Sequence, residues 1–147
     1  MSTLLSRPQP ARTVLLGYLL AQGSYDRVLQ ILARIDPTRM LHLAQQLSVH
    51  ERTLLAALLV RQPALEVMAR TPSDVMTLVF GGLDRPDCRQ VMAAAGIRAM
   101  ALVWPFLTVA NQRTLVGSNP AATARARQIP ARGGLGDTFR LRRLFRS

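Results

Sequence analysis

The chain of 147 residues contains no lysine, a single cysteine, two histidines and seven aromatic residues. Each shortage excludes a class of chemistry. Without lysine there is no Walker-type phosphate loop, whose lysine reaches the β- and γ-phosphates, and no Schiff-base or pyridoxal-phosphate chemistry. With Cys88 alone, no intramolecular disulfide forms, which suits a reducing compartment. Acids are scarce too, eight against nineteen arginines. His42 and His50 stand eight residues apart, on either side of Ser48, whereas metal-binding pairs on one helix sit four apart. The longest charge-free stretches, Thr13–Tyr25 and Ala99–Gln112, fall short of the roughly 18 residues a membrane span requires. No basic segment precedes an apolar run at the N-terminus. A cytoplasmic protein is expected, with no cofactor, no metal site and no catalytic set.

What the chain does have is apolar material, 49% of its residues. Leu, Ala, Val and Met dominate over the β-branched and aromatic types that favour sheets, so an all-α fold is expected. The length suits one domain.

Helix boundaries are marked by proline, glycine and small polar caps. Pro10 can open a first helix in which Val14, Leu15, Tyr18 and Leu19 recur at helical spacing, closed by Gly23. Ser24 stands at the cap of a second helix carrying Tyr25, Val28, Leu29, Ile31, Leu32 and Ile35. Asp36-Pro37 opens a third, with Met40, Leu41, Leu43, Ala44 and Leu47 on one side. Ser48-Val49-His50-Glu51 is a capping box and opens a fourth, ending near Gln62-Pro63. The pattern then recurs. Thr71-Pro72 answers Asp36-Pro37, 35 residues on, and Asp84-Arg85-Pro86-Asp87 answers the second opening. Arg89–Ala94 parallels Arg52–Ala57, and a shorter third copy runs from Trp104-Pro105 to Val116. Each unit reads as a helix pair that buries its apolar face only by stacking on its neighbours.

These units are similar to the helical repeats of the magnesium-transporter cytoplasmic N-terminal domain and the flagellar rotor switch protein. The likeness is carried by Ile35-Asp36-Pro37-Thr38-Arg39-Met40 and Ala69-Arg70-Thr71-Pro72-Ser73-Asp74-Val75, over roughly residues 24–117. The resemblance implies a right-handed superhelix of stacked helix pairs, about six to eight helices, used for protein contacts. Magnesium sensing is not implied, because the transporter domain uses acidic residues and the acids here are dispersed, mostly at caps.

Charge divides the chain. Residues 1–118 hold twelve arginines against seven acids, and residues 119–147 hold seven against Asp137. The expected organisation is a helical-repeat domain over 1–117 and an arginine-rich linker and tail over 118–147, flexible through Gly136. Asp137 could cap a terminal helix with Leu141, Leu144 and Phe145 on one face, too short to be stable unless docked. The candidate partner-binding residues of the tail are Arg125, Arg127, Arg132, Phe139, Arg140, Leu141, Arg142, Arg143, Leu144, Phe145 and Arg146. Trp104 and Phe106, at a proline break, either fill the core between the last helices or form a docking patch.

Cys88 near a helix start invites comparison with reactive thiols, but no histidine is close in sequence. Gly81-Gly82 reads as a helix stop, and Gly133-Gly134-Leu135-Gly136 lacks a following lysine and a preceding strand. The expected function is therefore a non-catalytic protein–protein interaction module, an adaptor or scaffold component of a bacterial multi-protein assembly such as a secretion or motor apparatus. The alternatives are an anionic partner for the tail, namely nucleic acid, an acidic protein or an anionic membrane surface.

Overall fold

In the computed structural model, residues 8–129 are described, with side-chain surroundings from Thr13 onward. All regular structure among them is helical. Ten α-helices occur: α1 (Pro8–Gln22), α2 (Tyr25–Arg34), α3 (Pro37–Gln46), α4 (Val49–Leu59), α5 (Leu65–Arg70), α6 (Ser73–Gly81), α7 (Arg85–Ala93), α8 (Ile97–Val103), α9 (Val109–Ser118) and α10 (Pro120–Arg127). Short 3₁₀ turns lie at Gln62–Ala64 and Trp104–Phe106. The all-α expectation holds, but six to eight helices was too few.

The caps explain the boundaries. Asp36 accepts from the Arg39 amide at 3.0 Å, and Asp84 from the Asp87 amide at 2.9 Å. Ser48 and Glu51 form the reciprocal box, each satisfying a backbone donor of the other. Thr108 and Asn119 cap α9 and α10 in the same way. Gly23 takes φ +75, the left-handed turn that closes α1. Two openings differ from the sequence reading. Ser24 occupies the cap position of α2 without a side-chain bond to the helix. Thr71 does not cap α6: its buried hydroxyl donates back to the Val67 carbonyl at 2.8 Å, and Pro72 holds the cap position.

The repeating unit is a helix triplet, not a pair. α1 packs on α4, α4 on α7 and α7 on α9; α2 packs on α5, α5 on α8 and α8 on α10. A third line runs from α3 to α6 and on to the turn at Trp104–Phe106. Three ladders therefore link four layers, the first of which has no counterpart of α3. The third helix of the two middle layers was missed because α5 and α8 have only six and seven residues, too few to display an amphipathic period. The caps Ser48 and Asp84 stand 36 residues apart, but Asp84 and Thr108 only 24, because the last layer reduces its first helix to one 3₁₀ turn.

α10 falls within the stretch read as linker. Asn119 and Pro120 start it, alanine sustains it, and the small Thr123 and Ala126 side chains are buried as it packs on α8. No large apolar residue announces it, so periodicity passed over it.

The core is continuous from Leu16 to Ala126, with Phe80, Met68, Met76, Val79 and Leu58 among its fully buried side chains. Polar groups tie helices together both within and between layers. Arg52 donates to the Ala44 and Gln45 carbonyls at 2.8 and 2.9 Å, closing the orphan end of α3 with a cation. Gln112, at the same distance from its cap, donates to the Trp104 carbonyl at 2.8 Å. Asn111 is buried and donates from Nδ2 to the Leu83 carbonyl at 2.9 Å, joining α9 to the segment ahead of α7. An Asn111→Ala variant leaves that carbonyl without its partner in the interior. Urea denaturation is expected to show a loss of about 1–3 kcal/mol, and an unchanged midpoint would mean that water replaces the amide.

Candidate docking groove

Among the described residues, no three His, Cys, Asp or Glu side chains gather as metal ligands would. His42 and His50 are both exposed, on α3 and α4. Cys88 is buried at the start of α7, and burial pushes its thiol up from 9.0 to about 11. Desolvation of the thiolate outweighs any help from the helix N-terminus, so the thiol is protonated and inert at neutral pH.

A groove runs between the third and fourth layers, where α7 and α8 face α9 and α10. It encloses about 630 Å³. Met92, Ile97, Met100, Leu115 and Ala122 supply apolar lining, while Arg89, Gln90, Ser118 and Asn119 supply polar groups. The groove arises from the shortened last layer. Met92 and Leu115 are buried by their own neighbours, yet the small Ala93, Ala95, Gly96 and Ala122 leave the cleft between ladders unfilled. An apolar floor bordered by polar side chains is the arrangement of an interface patch.

Among the described residues, seven arginines have no acidic partner and no ring or carbonyl contact: Arg27, Arg34, Arg85, Arg89, Arg98, Arg113 and Arg125. One ion pair occurs among the described residues, between Arg39 and Asp36 at 3.7 Å, and it is exposed. Arg61 instead lies 4.6 Å over the Tyr25 ring. Three of the seven acids among the described residues, Asp36, Glu51 and Asp84, serve helix caps.

Of the residues singled out from sequence, Arg125 and Arg127 lie exposed on α10, not in a linker. Arg127 reaches over the Trp104 ring, 5.9 Å from its centre. Trp104 and Phe106 are half-buried against the core, which favours packing over the docking patch while leaving part of each ring accessible. Arg132, Phe139, Arg140, Leu141, Arg142, Arg143, Leu144, Phe145 and Arg146 lie outside the described residues. The groove residues Arg89, Gln90 and Ala93 were not anticipated. Their only sequence signal is a break in apolar content within α7, whose exposed face is Arg-Gln-x-x-Ala-Ala.

No protein-family model, curated protein or solved structure matches the chain. Among the described residues, no helix is long and apolar enough to cross a membrane.

Proposed function

We propose that this chain is a non-catalytic protein–protein interaction module, working in the cytoplasm as an adaptor or scaffold component of a bacterial multi-protein assembly such as a secretion or motor apparatus. In this reading the ladders wind into the right-handed superhelix that the resemblance to the transporter and rotor-switch repeats implies. The single observation that carries it is the groove between the third and fourth layers, with its apolar floor and Arg89 at its border. A partner segment of suitable chemistry is an amphipathic helix or extended peptide bearing an acid to meet Arg89. The arginine tail, Arg132 to Arg146, supplies a second contact.

The test uses Ala93→Arg, which fills the groove from an exposed position and leaves the core untouched. Affinity capture with the full chain from its source cells is expected to retain a defined protein set that Ala93→Arg loses while keeping its helical spectrum. Identical sets from both proteins would reject the groove as the docking site.

A second reading, an anionic polymer held by basic side chains, is favoured by the seven described arginines that contact no acid, ring or carbonyl. Binding of that kind weakens steeply with salt and is kept or strengthened by the added charge of Ala93→Arg, so the same variant separates the two.

A further inference from the structure

The ladder of α4, α7 and α9 keeps a fixed register. Counted from the caps Ser48, Asp84 and Thr108, the seventh residue is Leu55, Val91 and Leu115, and all three are buried. The eighth is Ala56, Met92 and Val116. Ala56 and Met92 are 0% and 2% exposed, whereas Val116 is 37% exposed. The difference follows the stacking: α7 packs on α4 and α9 on α7, but α9 is the last helix of this ladder among the described residues. The fifth position belongs to the outer side, where Arg89 and Arg113 are both exposed.

The same register recurs once more in the sequence. Counted from Asp137, Leu141, Leu144 and Phe145 stand at the fourth, seventh and eighth positions. The fourth is held by Arg52, Cys88 and Gln112 in the described layers, none of them exposed. Arg142 and Arg146 fall at the fifth and ninth positions, where Arg89, Arg113, Ala93 and Gly117 are exposed. Phe139 falls at the second, exposed in every described layer. The approach to Asp137 is marked as well. Each earlier passage out of α2, α5 and α8 runs through a residue set into the core and then a proline within two positions: Ile35 and Pro37, Thr71 and Pro72, Trp104 and Pro105. After α10, Ile129 is half-buried against the core, and Pro130 follows it in the sequence. Ten positions separate Arg127, the end of α10, from Asp137. The corresponding distances are fourteen from Arg34 to Ser48, fourteen from Arg70 to Asp84 and five from Val103 to Thr108.

We propose that residues 137–146 form a further helix of this ladder, docked on α9 of the same chain with Leu141, Leu144 and Phe145 turned inward over Val116. Register and tether together select this occupant. The segment repeats the inward and outward positions of the ladder, and the connection ahead of it has a length the fold already uses to bring a cap onto that ladder. Being tethered, it docks at a high effective concentration that a separate protein lacks. Ten residues do not hold a helix alone, so the end of the stack supplies the support. Docked in this way the segment closes the stack as terminal units of repeat proteins do, apolar side inward and charged side to water. Arg142 then continues the row of Arg89 and Arg113, and the arginine tail becomes a fixed edge of the fold. The inference is independent of the groove, which lies on the other side of α9, between the third and fourth layers.

The experiment places a thiol beneath the docked segment: Val116→Cys in the full chain, with Cys88→Ala, labelled by a maleimide at neutral pH. Val109→Cys in the same background is the open reference, since Val109 follows its cap directly, at a register exposed in every described layer. The thiol at position 116 is expected to label roughly tenfold or more slowly than the reference, and to approach it once Leu144→Asp and Phe145→Asp are added. Hydrogen exchange on the unaltered chain gives a second reading that does not need Cys88→Ala. The amides of residues 141–146 are expected to be protected, and to lose protection with the two aspartates. Equal labelling at positions 116 and 109, or tail amides exchanging at unfolded rates, overturns the proposal. So does slow labelling that ignores both aspartates, which would mean that another segment covers Val116. Protection that falls on dilution overturns it too, because the tail of a second copy would then be the one docked.

Discussion

A Phe80→Ala variant is expected to lose about 3–5 kcal/mol of stability, the range for emptying a buried aromatic site. Phe80 lies in α6 at 0% exposure, and α6 packs on α3, α4 and the turn at Trp104–Phe106. It thus sits where the second, third and fourth layers meet, and helices on three sides cannot collapse together into the space left by the ring. Gly81 shows how tight that region is. A methyl placed there would stand 3.3 Å from the Phe106 carbonyl, a backbone atom that cannot swing aside. For a domain of this size each kcal/mol moves the midpoint by about 2–4 °C, so thermal unfolding is expected roughly 10 °C lower. A change of only a degree or two would mean that the layers are loosely packed and relax into the cavity.

Stability is also expected to fall between about pH 9 and pH 11, and Cys88 supplies the slope. Burial raises its thiol from 9.0 to about 11 in the folded chain. Below pH 9 the folded and unfolded states both keep the proton, and the thiol has no influence on the balance. Between pH 9 and pH 11 the unfolded chain releases its proton first, which favours unfolding. Near pH 11 the loss reaches about 2 kcal/mol, and above that the folded thiol ionises as well and the slope levels off. A Cys88→Ala variant removes this component, so the difference between the two pH profiles isolates it. Alkylation gives an independent reading: Cys88 is expected to resist a maleimide at neutral pH and to react fully in denaturing urea. Rapid labelling of the native protein would contradict its burial.

Helix α4 shows how much local structure is legible in a sequence. Ser48 and Glu51 belong together as a box whatever lies around them, because both bonds close within four residues. Asp36-Pro37 and Gly23 are legible for the same reason. α1 shows where that legibility stops. Its apolar residues cover both faces, so spacing identified Val14, Leu15, Tyr18 and Leu19 as helical without telling which of them face the core; the fold buries Leu19 and exposes the other three. α10 lacks large apolar residues altogether, and its burial against α8 depends on Thr123 and Ala126 being small. The groove was invisible in the same way: Arg89, Ala93, Gly96 and Ala122 belong to two helices, α7 and α10, and the turn that follows α7, and nothing along the chain links them.

Composition, caps and the near-regular return of proline therefore determined that this protein is helical, repeated and basic, because those properties depend on contacts a few residues long. Tertiary structure alone decided that the repeat has three helices, that Cys88 is sealed, that a groove opens beside Arg89 and that α1 turns Val14, Leu15 and Tyr18 outward. Each of these depends on which surfaces are left after layers stack, and stacking is a competition among distant faces of similar hydrophobicity. No window of neighbouring residues contains its result.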